Sequence, residues 1–279
     1  MPKMTVALLH PGEMGAAVGA CLAERGLKVV WASAGRSAAT RRRAEAAGFE
    51  DLGSLERALA VAEVVLSVCP PHGALELARE VACAGFRGTY VDANAIAPES
   101  ARDVGRAVEA AGAAFVDGGI IGPPPGTSTR LYLSGAHAAE IAAMFAGSRL
   151  PATVLDGAAG AASALKVCYA AWTKGATALL AVIRTLARHE GVEETLLAEW
   201  KLSQPELPRR SEAIVANARK AWRWIGEMEE IAASFEAAGL PGGFHLAAAE
   251  VYRRLEDFKD VAAPPSLAAI AQALRSASR

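Results

Sequence analysis

The feature that most constrains this chain is an alternation. From Thr5 to about Leu155, short apolar runs trade places with Ala/Arg/Glu-rich stretches of helical period. The runs are Val6–Leu9, Val29–Trp31, Val64–Val68, Thr89–Asp92 and Ala114–Asp117. A further run, Arg130–Ser134, follows a Pro/Gly-rich turn at 122–127 and is expected to be the last strand. Strands that alternate with helices predict a parallel sheet covered on both faces, because each crossover must travel back over the sheet. After Gly157 the strand signals stop. Residues 158–190 predict one helix, roughly 45 Å long at 1.5 Å per residue. Pro205 and Pro208 interrupt the pattern. A second long helix is expected from Arg210 to Ala238, then a turn at 239–243, a helix over Phe244–Leu255, and a short last helix after Pro264 and Pro265.

Composition narrows the function classes. With 29 basic and 30 acidic residues the formal net charge is −1, which gives nucleic acid no electrostatic footprint. No stretch is long and apolar enough for a membrane helix, and the N-terminus has no signal-peptide pattern. Cys21, Cys69, Cys83 and Cys168 form no C-x-x-C pair and no metal-ligand spacing with His, so neither a disulfide nor a metal is expected. The expected setting is cytoplasmic, with neither membrane nor nucleic acid as a partner.

The first strand runs into His10-Pro11-Gly12-Glu13-Met14-Gly15, and a helix begins there. Laid on G-x-G-x-x-G, His10, Gly12 and Gly15 take the three glycine positions. The second glycine lets a pyrophosphate approach the backbone, the third lets helix and strand pack closely, and the helix N-terminus holds the phosphates. His10 departs from the pattern, although histidine tolerates positive φ better than branched residues do. In its βαβ context the loop predicts dinucleotide binding and a Rossmann doubly wound domain over 1–157. Residues 158–279 then form an all-α substrate and dimerisation domain, joined through a long interdomain helix.

An NAD enzyme carries Asp or Glu at the end of the second strand for the ribose hydroxyls. None follows Trp31; Ser33, Arg36 and Ser37 come instead, then Thr40 and Arg41-Arg42-Arg43. Cations and hydroxyls suit a 2′-phosphate. NADP(H) is therefore expected over NAD(H), through Ser33, Arg36 and Ser37, with Arg42 and Arg43 on a solvated helix face.

In order, these pieces resemble the β-hydroxyacid dehydrogenase and 6-phosphogluconate dehydrogenase superfamily. Gly12-Glu13-Met14-Gly15 matches its G-x-M-G loop, and Cys69-Pro70-Pro71 its turn against the cofactor. Asp92-Ala93-Asn94-Ala95-Ile96-Ala97-Pro98 matches its acidic-small-polar stretch, and Phe115-Val116-Asp117 leads into its substrate loop at Ile120-Ile121-Gly122. The long helix carries the family's catalytic lysine, here Lys166. The C-terminal half is similar to the branch whose second domain is of unassigned function. The resemblance implies a nicotinamide-dependent oxidoreductase acting on a small molecule. Two family residues are missing. Ala170 replaces the Asn that orients the substrate hydroxyl, and Ile121 stands where a serine grips a carboxylate. A plain small 3-hydroxy acid is therefore not the expected substrate. The pocket is then more apolar, or recognition moves to Asn94, Tyr169, Thr173 or His245.

Hydride transfer needs a proton source beside the reacting oxygen, and Lys166 is the candidate, as donor or electrostatic catalyst. Tyr169 and Thr173 share its helix face at i+3 and i+7. Lys174 is only partly on that face, and His72, His137 and His189 have no visible acid–base partner. The leading reading is an NADPH-dependent reductase or dehydrogenase of a small carbonyl or hydroxy compound. An imine reductase of the same architecture and a non-catalytic NADP-binding sensor or scaffold are the alternatives. A homodimer is expected, because helices wrapped around one long helix cover its apolar face poorly alone.

Overall fold

In the computed structural model, residues 4–126, 128–259 and 261–276 are described. The chain divides into two compact units, Met1–Val167 and Cys168–Arg279, ten residues beyond the boundary expected at 157.

The first unit follows the expected alternation: β1 (Thr5–Leu9), α1 (Glu13–Glu24), β2 (Lys28–Trp31), α2 (Ala38–Ala46), β3 (Glu50–Asp51), α3 (Leu55–Leu59), β4 (Val64–Ser67), α4 (Ala74–Cys83), β5 (Thr89–Asp92), α5 (Pro98–Glu109), β6 (Ala114–Ile121), β7 (Arg130–Ser134), α6 (Ala138–Met144) and β8 (Ala152–Val154). One sheet runs β3-β2-β1-β4-β5-β6-β7-β8, and every pairing is parallel except β6 with β7. Its central strands β1, β2, β4 and β5 are largely apolar because successive side chains enter two different cores. Val6, Leu8, Val29, Trp31, Val91 and Val116 pack on one face. Ala7, Leu9, Val30, Val65, Tyr90 and Phe115 pack on the other.

Three expectations are corrected. Arg130–Ser134 is not the last strand: β8 pairs parallel with β7. β6 does not end at Asp117 but continues to Ile121, so the expected substrate loop is mostly strand. In the turn that follows, Gly122 adopts φ 124° and Thr129 Oγ1 donates to the Pro123 carbonyl at 2.6 Å; Thr127 lies outside the described residues. The third correction, an acidic residue that β3 brings to the loop after β2, belongs to the site.

The long helix α7 (Ala161–His189) begins in the first unit and continues in the second. The second unit adds α8 (Glu193–Ser203), α9 (Leu207–Ser211), α10 (Ala213–Asn217), α11 (Trp224–Ala237), α12 (Gly243–Arg253) and α13 (Leu267–Arg275). The single helix expected from Arg210 to Ala238 is broken. Asn217 Nδ2 donates to the Ala213 carbonyl at 2.8 Å, a local bond that competes with the helix ladder. Residues Ala218–Arg223 then wind as a 3₁₀ helix, which sets the fully buried Ala218 and Ala221 on one face three residues apart.

Two polar clusters hold this unit. Glu193 accepts from Arg184 at 2.6 and 2.9 Å and from Arg188 at 2.8 Å, while Arg184 also donates to Ser211 Oγ at 2.8 Å. Lys174 pairs with Glu227 beneath the Trp224 ring, and Tyr252 Oη donates to the Lys174 carbonyl at 2.6 Å.

Candidate functional site

Register aligns the site. Leu9, Ser67, Asp92 and Asp117 are successive partners across β1, β4, β5 and β6, and Ser134 on β7 continues the row. Ser67, Asp92, Asp117 and Ser134 are fully buried. The loops leaving this row lie at the carboxyl ends of the parallel strands, where open α/β sheets bind ligands.

At the end of β1, His10 adopts φ 65° and its carbonyl accepts from Gly12 N at 2.7 Å. A Cβ on Gly15 would lie 2.5 Å from that carbonyl oxygen, so only glycine lets α1 start this close. A Cβ on Gly12 would meet nothing within 4 Å. No side chain caps α1 at Gly12, which leaves the positive end of the helix dipole to an incoming anion. Pro11 is buried, Met14 is half-buried and Glu13 is exposed in the first turn. This loop suits a dinucleotide pyrophosphate.

The β2–α2 loop is cross-braced. Arg36 N donates to Ser33 O at 3.1 Å across a turn at Gly35. Arg41 donates to Ser33 O at 3.1 Å and to Arg36 O at 3.3 Å. Ser33 is buried, and Ser37 Oγ caps α2 by accepting from Thr40 N. An acidic residue does reach this loop, contrary to expectation. Asp51, the register partner of Trp31, accepts from Ser33 N at 3.2 Å and from Gly53 N at 2.8 Å. Burial pushes its carboxyl up, but the bonds from Ser33 and Gly53 and the Arg41 charge bring it below the usual range. The two-residue strand that delivers Asp51 is too short to show a pattern, so Asp51 did not stand out in the sequence, and Arg41 was visible only as part of a basic run.

Asn94 is a brace. Its Oδ1 accepts from Cys69 N at 2.5 Å, and its Nδ2 donates to Ser67 Oγ at 3.1 Å and to Asp92 Oδ2 at 2.7 Å. Both amide hydrogens are engaged within the protein, and the turn at Cys69-Pro70-Pro71 is held in place. Burial, with Asp92 adding to it, raises the Cys69 thiol to about 11, so it stays protonated.

Asp117 caps the long helix. Its Oδ2 accepts from Gly160 N at 2.9 Å, Ser163 N at 3.0 Å and Ser134 Oγ at 2.8 Å, and its Oδ1 accepts from Ser163 Oγ at 2.5 Å. Ser134 Oγ accepts in turn from Ala162 N at 3.1 Å. Two residues along β6, a Cβ on Gly119 would lie 2.6 Å from the Ala162 carbonyl and 3.3 Å from the Lys166 Cβ. The bare backbone at Gly119 therefore lets Lys166 sit against β6 just beyond the polar row. Ile120 and Ile121 are buried in the same strand.

In the second unit, Tyr169 is exposed, and Thr173 Oγ1 donates to the Tyr169 carbonyl at 3.0 Å. His245 is buried against Phe235, 4.5 Å between ring centroids, with Nδ1 unpartnered; burial lowers its pKa. Among the described residues no three His, Cys, Asp or Glu side chains gather as a metal site, and no helix is long and apolar enough to cross a membrane.

Residues 5–149, which contain this sheet and its loops, match the family model of the NAD-binding domain of 6-phosphogluconate dehydrogenase. The chain belongs to that family. It is thus an NAD(P)-dependent oxidoreductase with a Rossmann-type first domain. Residues 187–255 match a domain of unknown function. No curated protein matches the chain in sequence. Among solved structures, a conserved protein of unknown function described as structurally similar to 3-hydroxyacid dehydrogenases is 29% identical, with TM-score 0.70 over 91% of this chain and 98% of that one. Mycobacterium tuberculosis 3-hydroxyisobutyrate dehydrogenase has the same fold at 21% identity, TM-score 0.73, over 98% and 100% of the two chains. Aspergillus terreus reductive aminase, solved with NADPH and ethyl levulinate, shares it at 17% identity, TM-score 0.60, over 98% and 100%.

Proposed function

We propose that this oxidoreductase reduces, or in reverse forms, a small carbonyl compound with NADP(H), and that Lys166 handles the proton. The observation that carries this reading is the closure of β6 on α7. Asp117 holds the first turn of α7, and Gly119 admits it so closely that Lys166 stands beside the carboxyl ends of the strands. The nicotinamide supplies or accepts the hydride when bound. Residues 10–15 hold the pyrophosphate at the start of α1, and the Asn94-braced turn at Cys69-Pro70-Pro71 lines the same edge. Lys166 stabilises the oxyanion that develops on the substrate and delivers its proton. In this reading Ile120, Ile121, Gly122, Tyr169, Thr173 and His245 are the substrate contacts, Asn94 acts through the turn it braces, and 158–279 is the substrate and dimerisation domain. The protein works in the cytoplasm.

The 2′-phosphate reading rests on Ser33, Arg36 and Ser37 in a loop stiffened by Arg41. Calorimetric titration with NADPH and NADH tests it. NADPH binds more tightly, and Arg36→Ala weakens it by roughly 1–3 kcal/mol while leaving NADH nearly unchanged. Equal or tighter binding of NADH would overturn it.

A second reading, imine reduction, is favoured by one feature. Ile121 and Ala170, where the resemblance carries a serine and an asparagine, are both buried and apolar. Apolar side chains at these two positions suit a cyclic imine better than a carboxylate. A screen of carbonyls and cyclic imines followed at 340 nm separates the two readings, and turnover of neither leaves the NADP-binding sensor.

The same reading makes the protein a homodimer. Trp172, Leu179 and Leu186 repeat every seven residues on α7 and are 63%, 46% and 61% exposed. A heptad stripe of large apolar side chains is the seam a second helix covers.

A further inference from the structure

Residues Ser33 to Arg36 form a tight turn at the carboxyl end of β2, closed by Arg36 N donating to Ser33 O at 3.1 Å. Gly35 takes the turn's third position at φ 69°, a conformation that glycine supplies freely. Arg41 reaches back from α2 and bridges the two ends of this turn. Its Nη2 donates to Ser33 O at 3.1 Å and its Nε to Arg36 O at 3.3 Å. The entry side is held as well. Asp51 Oδ1 accepts from Ser33 N at 3.2 Å and from Gly53 N at 2.8 Å, and Gly53 O accepts from Ala34 N at 2.9 Å. Ser33 is thus gripped at its amide and at its carbonyl by side chains of opposite charge, one from β3 and one from α2. The amides of Ser33, Ala34 and Arg36 are bonded within the protein, and the Ser37 hydroxyl also caps α2. This backbone has little left with which to cradle a phosphate, so selectivity falls first on the Arg36 side chain, which is partly exposed. A guanidinium is a planar fork that matches phosphate in a defined direction. That direction starts from the Arg36 backbone, whose N donates to Ser33 O and whose O accepts from Arg41.

We propose that Arg41, with Asp51, is a positioning residue for cofactor specificity: the clamp on the Ser33–Arg36 turn aims the Arg36 guanidinium at the 2′-phosphate of NADPH. This rests on the NADPH reading above. A loop already held in its binding conformation loses less freedom when the ligand arrives, and that saving appears as affinity. It appears only for the ligand that Arg36 touches, so the clamp favours NADPH over NADH. Lysine at position 41 would keep the charge and lose the rigid fork that spans two carbonyls. Asparagine at position 51 would keep an oxygen for the Ser33 and Gly53 amides and lose the charge.

The test is a double-mutant cycle read as ratios of affinity. NADPH, NADH, 2′,5′-ADP and 5′-AMP are titrated against wild type, Arg41→Lys, Arg36→Ala, the double variant, Asp51→Asn and Asp51→Ala. Each ratio is taken on one protein, so any loss of stability cancels from it. Arg41→Lys is expected to lower the NADPH/NADH and 2′,5′-ADP/5′-AMP ratios by about fivefold or more, and Arg36→Ala to cost less than about twofold once Arg41 is replaced. Asp51→Asn keeps the wild-type ratios or raises them, whereas Asp51→Ala lowers them. Retained ratios in Arg41→Lys would mean that Arg41 supplies charge alone, and that overturns the proposal. An Arg36→Ala loss of the same factor with Arg41 or Lys at position 41 would overturn it too, because the two arginines would then act independently. Ratios that fall as far in Asp51→Asn as in Asp51→Ala would remove Asp51 from the clamp. If Arg36→Ala abolishes NADPH preference and Arg41→Lys does not, the role of Arg41 falls while the NADPH reading stands. A wild-type protein that binds NADH as tightly as NADPH overturns that reading, and this one with it.

Discussion

Asp92 and Asp117 are register partners on neighbouring strands, both fully buried, and their surroundings differ sharply. Asp117 accepts four hydrogen bonds, three from the start of α7 and one from Ser134, whereas among the described residues Asp92 accepts two, both from Asn94. Burial, against the bonds from Asn94 and with Asp117 adding repulsion, raises Asp92 to about 7. An unfolded Asp titrates near 3.9. Between about pH 4 and 7 the folded protein therefore keeps a proton that the unfolded chain releases, and stability falls as pH rises through that window. Asp92→Asn mimics the neutral acid. Its stability relative to wild type should improve between pH 5 and 8, by about 2–3 kcal/mol. Thermal melting of both proteins at the two pH values checks this, and parallel pH profiles would remove Asp92 from the account.

Gly12 and Gly15 should separate binding from folding. Space is open around Gly12, so Gly12→Ala leaves apo stability within roughly 0.5 kcal/mol. The added methyl points where the pyrophosphate must approach, and dinucleotide affinity falls at least about tenfold, or 1.4 kcal/mol. Gly15→Ala drives a Cβ into the His10 carbonyl and lowers both, stability by about 1–3 kcal/mol. Melting curves with and without NADPH decide it. A Gly12→Ala protein that binds normally would place the pyrophosphate elsewhere.

Much of this was legible in the sequence, and the exceptions share a cause. The parallel strands were visible because each is long enough to show a continuous apolar run. β3 and β8, at two and three residues, are too short to do so and exist through pairing with β2 and β7. Asp51 was therefore invisible as a neighbour of Ser33. Asp117 lay within a recognised stretch, yet its capping of α7 depends on contacts 43 and 46 residues away. Asn94 was read as a ligand contact, and that it braces the Cys69 turn through Ser67 and Asp92 is a tertiary fact the sequence does not carry. The broken helix over 210–223 shows the opposite error: helical periodicity survives in 3₁₀ and short α segments, so pattern alone extends them into one.

Lys174 and Glu227 form a mostly buried pair, with side chains 14% and 16% exposed. Removing one partner leaves a charge in a low-dielectric setting, whereas removing both does not. Lys174→Met should destabilise the protein by about 2–4 kcal/mol. The double variant Lys174→Met/Glu227→Leu should recover at least half of that loss. Urea unfolding of the two single variants and the double variant completes the cycle. Additive effects would mean that the pair contributes no coupling.

The exposed stripe on α7 predicts the oligomeric state. Light scattering should give a mass near twice 28.8 kDa at micromolar concentration. Leu179→Glu/Leu186→Glu puts two charges on the seam and should yield monomer with its helical content intact. A wild-type monomer across that range, or a double variant that stays dimeric, would move the interface off this stripe.

Lys166 is the residue on which the catalytic reading depends. Its backbone is placed by two features of β6, the Asp117 cap and the bare Gly119, so its side chain can be altered without disturbing the helix start. Lys166→Ala should lower turnover by about two to four decades, the usual worth of a positioned acid–base group. NADPH affinity should stay within a few-fold, because the residues holding the dinucleotide lie on other loops. Lys166→Arg should not restore turnover, since a guanidinium keeps its proton near neutrality. If charge alone mattered, Arg would recover much of the rate, and the role would be electrostatic. Steady-state kinetics on the acceptor found by the 340 nm screen distinguishes these outcomes. Full activity in Lys166→Ala would assign proton transfer to another group, and the geometry at Gly119 would then be a packing solution for α7.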